Sequence, residues 1–201
     1  MSSKLPKYFS QIILGSLALY FLYIFIQAFE IVQRRQISTK DGIYINSTTD
    51  APYIKALAHR LTKRCDSDLC RVQYVLDYVT NIPYKINNFQ AHSPQQTIQE
   101  NFGDCDDKSN LLISLLHELQ FESYFVLVPH HIFVIVAIED VHLEHLVEGL
   151  YINGKKYYIL ESTAANSAIG FPLQHPLSEI EAVIEPFSNK KLEIQTIEWK
   201  L

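Results

Sequence analysis

Glycine is scarce in this chain, six residues in 201, which leaves a repeat or low-complexity reading without support. An excess of basic charge is also missing. Lys and Arg number 17 against 22 Asp and Glu, a formal charge of −5 with a pI near 5.9. A nucleic-acid binder would show a basic footprint, so no nucleic-acid partner is expected. Charged residues make up only 19% and hydrophobic residues 48%, which excludes general disorder and points to a folded core. The length fits one domain plus an appendage rather than two domains.

The appendage is at the N-terminus. From Ile12 to Phe29 the chain reads IILGSLALYFLYIFIQAF, with no charged residue and only Ser16 and Gln27 as clear polar breaks. Eighteen helical residues rise roughly 27 Å, close to the ~30 Å of a hydrocarbon core. Lys4 and Lys7 flank one end, Arg34 and Arg35 the other. The expectation is a retained single-pass membrane anchor within residues 1–35. A cleaved signal peptide ending at Ala28 fits less well, because Ile26 is large for that position and the apolar run is long. Positive charge on both sides gives no clean orientation. Cys65 and Cys70 are spaced to close a small disulfide loop in an oxidising compartment, or they are two ordinary thiols at a helix junction. The balance favours a domain outside the cytoplasm.

Residues 36–50 are polar and turn-rich, as a juxtamembrane linker would be, with one short strand at Ile43–Ile45. The remainder, 51–201, is read as one domain. Helices are expected near Pro52–Arg64 and Ser67–Thr80, from apolar residues at helical spacing behind a first-turn proline and a Ser67 or Asp68 cap. A long polar loop is expected over Ile82–Phe102. Leu111, Leu112, Leu115, Leu116 and Leu119 then stripe a buried helix over Cys105–Leu119. Ser123–Val128 and His131–Ile138 are apolar on both faces, like central strands of a covered sheet. Asn153-Gly154 marks a hairpin leading into a strand over Lys156–Glu161. Ala182–Ile184 and Leu192–Trp199 are the last expected strands. Helices first and strands afterwards make an α+β domain with helices on one side of a mainly antiparallel sheet.

Cys105 opens the leucine-striped helix directly after Gly103-Asp104. A helix N-terminus presents unpaired N–H groups and the positive dipole end, which lower a thiol's pKa and can bind an oxyanion. Gly103 permits a tight turn and close approach of a substrate backbone. A plain buried cysteine is the bland alternative. Its neighbours Asp104, Asp106, Asp107 and Lys108 are unusual company for one. A nucleophilic cysteine needs a base, and the base needs an orienting partner. His131 begins one apolar strand and Glu161 ends another. His130 is the competitor, one residue away and so on the opposite face of an extended strand. His142 and His145, with Glu139, Asp140, Glu144 and Glu148, form a loop that no second ligand cluster accompanies, so no metal is expected. His59, His117 and His175 read as surface or packing residues.

The stretches GDCDDKSNLLISLL, PHHIFVIVAI and KKYYILESTA, taken in this order, resemble the transglutaminase-like cysteine hydrolase superfamily, of the bacterial cysteine-proteinase type. The resemblance implies a papain/transglutaminase-like core in which a central helix carrying the Cys packs on an antiparallel sheet. It implies Cys105 as nucleophile, His131 as base and Glu161 as the acidic member, where aspartate is commoner. It also offers Gln96, in the run-up SPQQTIQENF, as an oxyanion donor. The implied activity is acyl transfer at an amide of a protein or peptide through a thioester, with no cofactor. Hydrolysis by a membrane-anchored protease or amidase is the first expectation. A transglutaminase-type acyl transferase, or a non-catalytic peptide-binding or scaffolding domain of the same fold, is the alternative.

Overall fold

The computed structural model describes residues 4–40, 43–86 and 91–201; the side chains of 4–9 and 27–34 lie outside that description. The chain divides into two units, residues 1–36 and 37–201. The first is essentially one helix, α1 (Lys4–Arg35). Its described apolar side chains stand open on every face: Ile12, Leu14, Leu19 and Phe25 are each about two-thirds exposed. Residues 27–29 of the expected anchor fall among the undescribed side chains, as do the flanking Lys4, Lys7 and Arg34. Among the described residues no helix is long and apolar enough to cross a membrane. The described side chains from Ser10 to Ile26 account for a rise of only about 25 Å.

After α1, β1 (Gln36–Ser38) and β2 (Ile43–Ile45) form a two-stranded ribbon. Residues 41–42, between them, lie outside the described residues. Beyond β2, the polar segment expected as linker is bonded into the domain. Ser47 N–H donates to Asn110 Oδ1 (2.8 Å), Asn110 Nδ2 donates to Ile45 O (2.8 Å), and Thr49 N–H donates to Ser114 Oγ (3.1 Å).

Helices α2 (Pro52–Thr62) and α3 (Asp68–Thr80) follow, the second capped by Ser67, whose hydroxyl accepts from Cys70 N–H. Cys65 and Cys70 form a disulfide across the junction, with Cα atoms 5.4 Å apart. The expected long loop contains a helix instead, α4 (Pro94–Glu100). Ser93 and Gln96 close a reciprocal capping box around Pro94, which satisfies the donors that a seven-residue helix would otherwise leave open. Residues 87–90 of that loop lie outside the described residues.

Helix α5 (Cys105–Glu118) is buried from Asp107 to Leu116 on every side. It lies between α2, α3, α4 and the sheet, which explains its near-continuous burial. The sheet has seven strands, all neighbours antiparallel. In spatial order these are β8 (Lys190–Lys191), β7 (Ala182–Glu185), β3 (Ser123–Val128), β4 (His131–Val136), β6 (Lys155–Leu160), β5 (Gly149–Ile152) and β9 (Ile197–Lys200). Alternation sends Phe125, Leu127, Ile132, Val134 and Val136 toward the helices. Val126, Val128, Phe133, Ile135 and Ile159 face a second core, covered by Phe171, Leu173, Leu177 and Trp199. Two cores, one on each face, are why these strands lack polar alternation.

Asn153 (φ 52°) and Gly154 (φ 83°) make the β5–β6 hairpin, both in the left-handed region that a type I′ turn requires. Strands β3 and β4 are joined by Pro129-His130, with Val128 opposite His131. His130 has φ 58°, so it is a turn residue and not the opposite-face strand residue expected. Proline at the first central position and positive φ at the second is the type II pattern. The loop carrying His142 and His145 also contains a short helix, α6 (Val141–Leu146), capped by Asp140, whose Oδ1 accepts from His142 and Leu143 N–H.

Candidate functional site

Cys105 is the first residue of α5. Asp104 caps the helix: its side chain accepts from Asp107 N–H while Asp107 accepts from Asp104 N–H, each at 3.4 Å. The approach to the cap is held on both sides of Gly103. Its N–H donates to Pro83 O (3.2 Å), and its carbonyl accepts from Lys85 N–H (3.0 Å). A Cβ at this position would sit 2.9 Å from Asp107 Cβ and 3.2 Å from Thr97 Cγ2. Glycine here is a packing requirement between α4 and α5. The same pairing sets Tyr84 beside the thiol, where burial first, then Cys105 and the carboxyls of Asp104 and Asp106, raise the phenol.

His131 opens β4 and Glu161 follows the last residue of β6. Because Val134 pairs with Leu160, antiparallel register sets Glu161 opposite Phe133, on the same face and two residues from His131. His131 Nε2 and Glu161 Oε2 are 2.8 Å apart. The other carboxylate oxygen, Oε1, accepts from Thr163 N–H (2.9 Å) and Thr163 Oγ1 (2.5 Å). Burial alone would raise the Glu161 carboxyl, but the hydrogen bond and charge of His131 and the two bonds from Thr163 hold it below the usual value. An ionised carboxylate can only accept, so Nε2 is the donor in this bond and Nδ1 is not engaged by Glu161.

The Cys105 thiol meets the backbone N–H groups of Ile132, the residue after His131, and of Asp106. Among the described residues no hydrogen bond joins the thiol to the imidazole. Burial pushes the thiol up to about 12, and the carboxyls of Asp106 and Asp104 add to this, outweighing the two N–H groups. The direction is opposite to that expected from the helix terminus. The resting thiol is therefore protonated, and His131 is not part of a preformed ion pair with it.

Ser109, one turn below Cys105, ties together the three elements that carry these residues. Its hydroxyl lies 3.2 Å from Ser162 Oγ and 3.5 Å from the carbonyl of Ile132. Both serines are fully buried. Lys108 is also buried and donates to Ile82 O (2.8 Å) at the end of α3, with its pKa pulled down by burial. Asp107 accepts from His92 N–H (2.5 Å), with His92 Nδ1 3.6 Å from its other oxygen. Burial and the neighbouring Asp104 raise Asp107 to about 6 despite these partners. Asp106 rises further, to about 8, through burial and its hydrogen bond to Asp104.

Asp104, Asp106 and Asp107 are the one acidic group, among the described residues, with ligand atoms close enough to share a cation. Burial and their closeness raise the carboxyls of Asp106 and Asp107. His142 and His145 are not brought to any such cluster. Gln96 accepts from Ser93 N–H and Oγ in the α4 capping box, so its carbonyl oxygen is committed locally. His175, read from sequence as a surface or packing residue, lies with its ring 6.4 Å from that of His131 and nearly parallel, and bonds Glu179 Oε2 at 3.0 Å. The buried serines and His92 had no sequence signal, since their partners are remote in the chain.

A crystal structure of a candidate cysteine protease from Cytophaga hutchinsonii superimposes with a TM-score of 0.50 at 16% identity, covering 77% of this chain and 52% of that one. A candidate protease from Parabacteroides distasonis gives 0.46 at 14% identity, over 71% of this chain and 27% of that one. The chain thus spans about half the length of the first and about a quarter of the second. At these identities the likeness is one of fold. No curated protein sequence matches. The profile of the transglutaminase-like superfamily matches residues 55–161, more than half of the chain and a span that holds Cys105, His131 and Glu161; the chain belongs to that superfamily.

Proposed function

We propose that this protein is a cysteine hydrolase of peptide or amide bonds, with Cys105 as nucleophile, His131 as general base and acid, and Glu161 as the residue that orients the imidazole. The observation that carries the reading is the His131–Glu161 bond of 2.8 Å, in a strand whose next N–H meets the thiol of Cys105. Because the resting thiol is protonated, Nδ1 of His131 takes its proton as sulfur attacks the substrate carbonyl. An S–C bond forms. The C–N bond then breaks as His131 returns the proton to the leaving amine. Water, deprotonated by the same imidazole, hydrolyses the thioester and regenerates the thiol.

The test is labelling of the full-length chain with a peptide carrying a thiol-directed electrophile, followed by mapping of the modified residue. Labelling should map to Cys105, and Cys105→Ala should abolish both labelling and cleavage of a peptide mixture. Plain iodoacetamide should react slowly at neutral pH, since it brings nothing to draw the proton away. Cleavage that persists in Cys105→Ala would overturn the reading. Transfer of the acyl group to an added amine in preference to water would make the protein a transferase.

The proposal extends to location. The eighteen uncharged residues Ile12–Phe29 and the open apolar side chains of α1 support attachment to a membrane. The Cys65–Cys70 disulfide supports a domain held in an oxidising compartment. The full-length chain should sediment with membranes and resist carbonate extraction. Recovery of the intact chain in the soluble fraction would overturn attachment.

A further inference from the structure

Two walls of a cavity of about 260 Å³ are His131 and Glu161 themselves; Phe133, Ile159, Phe171 and Leu173 supply the rest of its apolar lining. It lies on the face of the sheet away from α5, because His131, Phe133, Ile159 and Glu161 share that side by strand alternation. Its volume falls below the roughly 300–1,000 Å³ of pockets that hold a whole small ligand, so it suits one large side chain. Its polar lining groups are His131, Glu161, Gln174 and His175. Glu161 is already bonded to His131 and Thr163, His175 to Glu179, and Gln174 to the carbonyl of Pro172, so the apolar walls are the main uncommitted surface.

Resting on the hydrolase reading above, we propose that this cavity receives the side chain of the residue whose amine leaves, and that it selects a bulky apolar residue such as leucine or phenylalanine at that position. The geometry of proton return supplies the direction. The thiol lies at the N–H of Ile132, on the α5 side of β4, and His131 must hand its proton to the departing nitrogen. Groups attached to that nitrogen therefore lie on the imidazole's side of the scissile bond, and the imidazole is itself a wall of the cavity. A charged side chain would lose its water against Phe133, Ile159, Phe171 and Leu173, which offer it no hydrogen bond.

Amino-acid amides mimic the leaving residue and test the cavity without any turnover. With full-length chain in detergent micelles, leucinamide and phenylalaninamide should shift the ring resonances of His131 and His175. They should do so with an affinity at least tenfold above that of glycinamide. Leu173→Trp, which fills the cavity from a loop, should abolish the preference; a thermal melt verifies its fold, and the comparison among amides on the wild-type chain stands without it. Equal affinity for leucinamide and glycinamide would overturn the proposal, as would a preference unchanged in a folded Leu173→Trp variant. Sequencing the new N-termini from a digested peptide mixture separates the two readings. Enrichment of Leu, Phe, Ile and Met there supports the cavity, and cleavage without that enrichment rejects the cavity while the hydrolase stands. Selective amide binding with no cleavage supports the cavity and rejects hydrolysis.

Discussion

Glu161→Gln should lower the turnover of peptide cleavage by about 10³- to 10⁴-fold while leaving the apparent substrate affinity within a few-fold. The reason is a conflict over one oxygen. In the native site Oε1 serves two donors from Thr163 and Oε2 serves His131 Nε2. A glutamine has only one oxygen, and the two fixed Thr163 donors outcompete the single imidazole N–H. The amide NH₂ then faces Nε2 and forces it to accept, which moves the ring proton to Nδ1, the atom that takes the thiol's proton in the proposed reaction. The base is present but in the wrong tautomer. His131→Ala should cost at least as much. Glu161→Asp, a methylene shorter, cannot keep both sets of partners and should fall between. The comparison is made by measuring turnover and affinity separately on one cleaved peptide, with melts to verify folding. A loss below tenfold in Glu161→Gln would mean that the carboxylate does not set the tautomer. His130→Ala should leave turnover within a few-fold, because His130 lies in the turn with φ 58°. Its main effect should be modest destabilisation of the β3–β4 hairpin.

How much of this was readable in advance depends on how local each signal is. Helix α2 announces itself through apolar spacing and a first-turn proline, α3 and α5 through apolar spacing and caps that lie within a few residues. Strands β3 and β4 do so through unbroken β-branched and aromatic runs. Helix α4 carries an equally local signal, Ser93-Pro94-Gln95-Gln96, but with Ile98 as its single large apolar residue it is hidden in a loop-like stretch. The environment of Cys105 was misread for the opposite reason. Asp107 and Lys108 look like surface residues in sequence, yet both are buried, because His92 and the carbonyl of Ile82 satisfy them from 15 and 26 residues away. That burial, with the charge of Asp104 and Asp106, reverses the effect expected of a helix terminus on the thiol. The meeting of His131 and Glu161 depends on the register of β4 against β6. Only the resemblance in motif order, and not periodicity, pointed to it.

Asp106→Asn should raise stability above neutral pH and make Cys105 more reactive there. Burial first, then the hydrogen bond and charge of Asp104 and the charge of Asp107, raise the Asp106 carboxyl to about 8. Between pH ~4 and ~8 the unfolded chain has released this proton while the folded chain still holds it. The folded state therefore binds more protons, and stability falls as pH rises through that window, levelling off above about 8. A shift of this size sets a ceiling of about 6 kcal/mol at ~1.36 kcal/mol per unit. Asp106 is only partly buried, so relaxation and water should reduce the loss to about 2 kcal/mol. Asparagine keeps a hydrogen bond to Asp104 without the ionisation, so melting temperatures of the variant should stay nearly flat from pH 6 to 9 while those of the native chain decline. A smaller slope should survive between pH ~4 and ~6 in both, because Asp107, raised to about 6, titrates there with the same sign. Ionised Asp106 is also the foremost charge holding the thiol up. Alkylation of Cys105 by iodoacetamide at pH 8 should accordingly quicken by about tenfold in the variant. Parallel stability curves for the two proteins above pH 6 would show that the fold does not raise the Asp106 carboxyl, and slower alkylation in Asp106→Asn would show that its charge does not hold the thiol up.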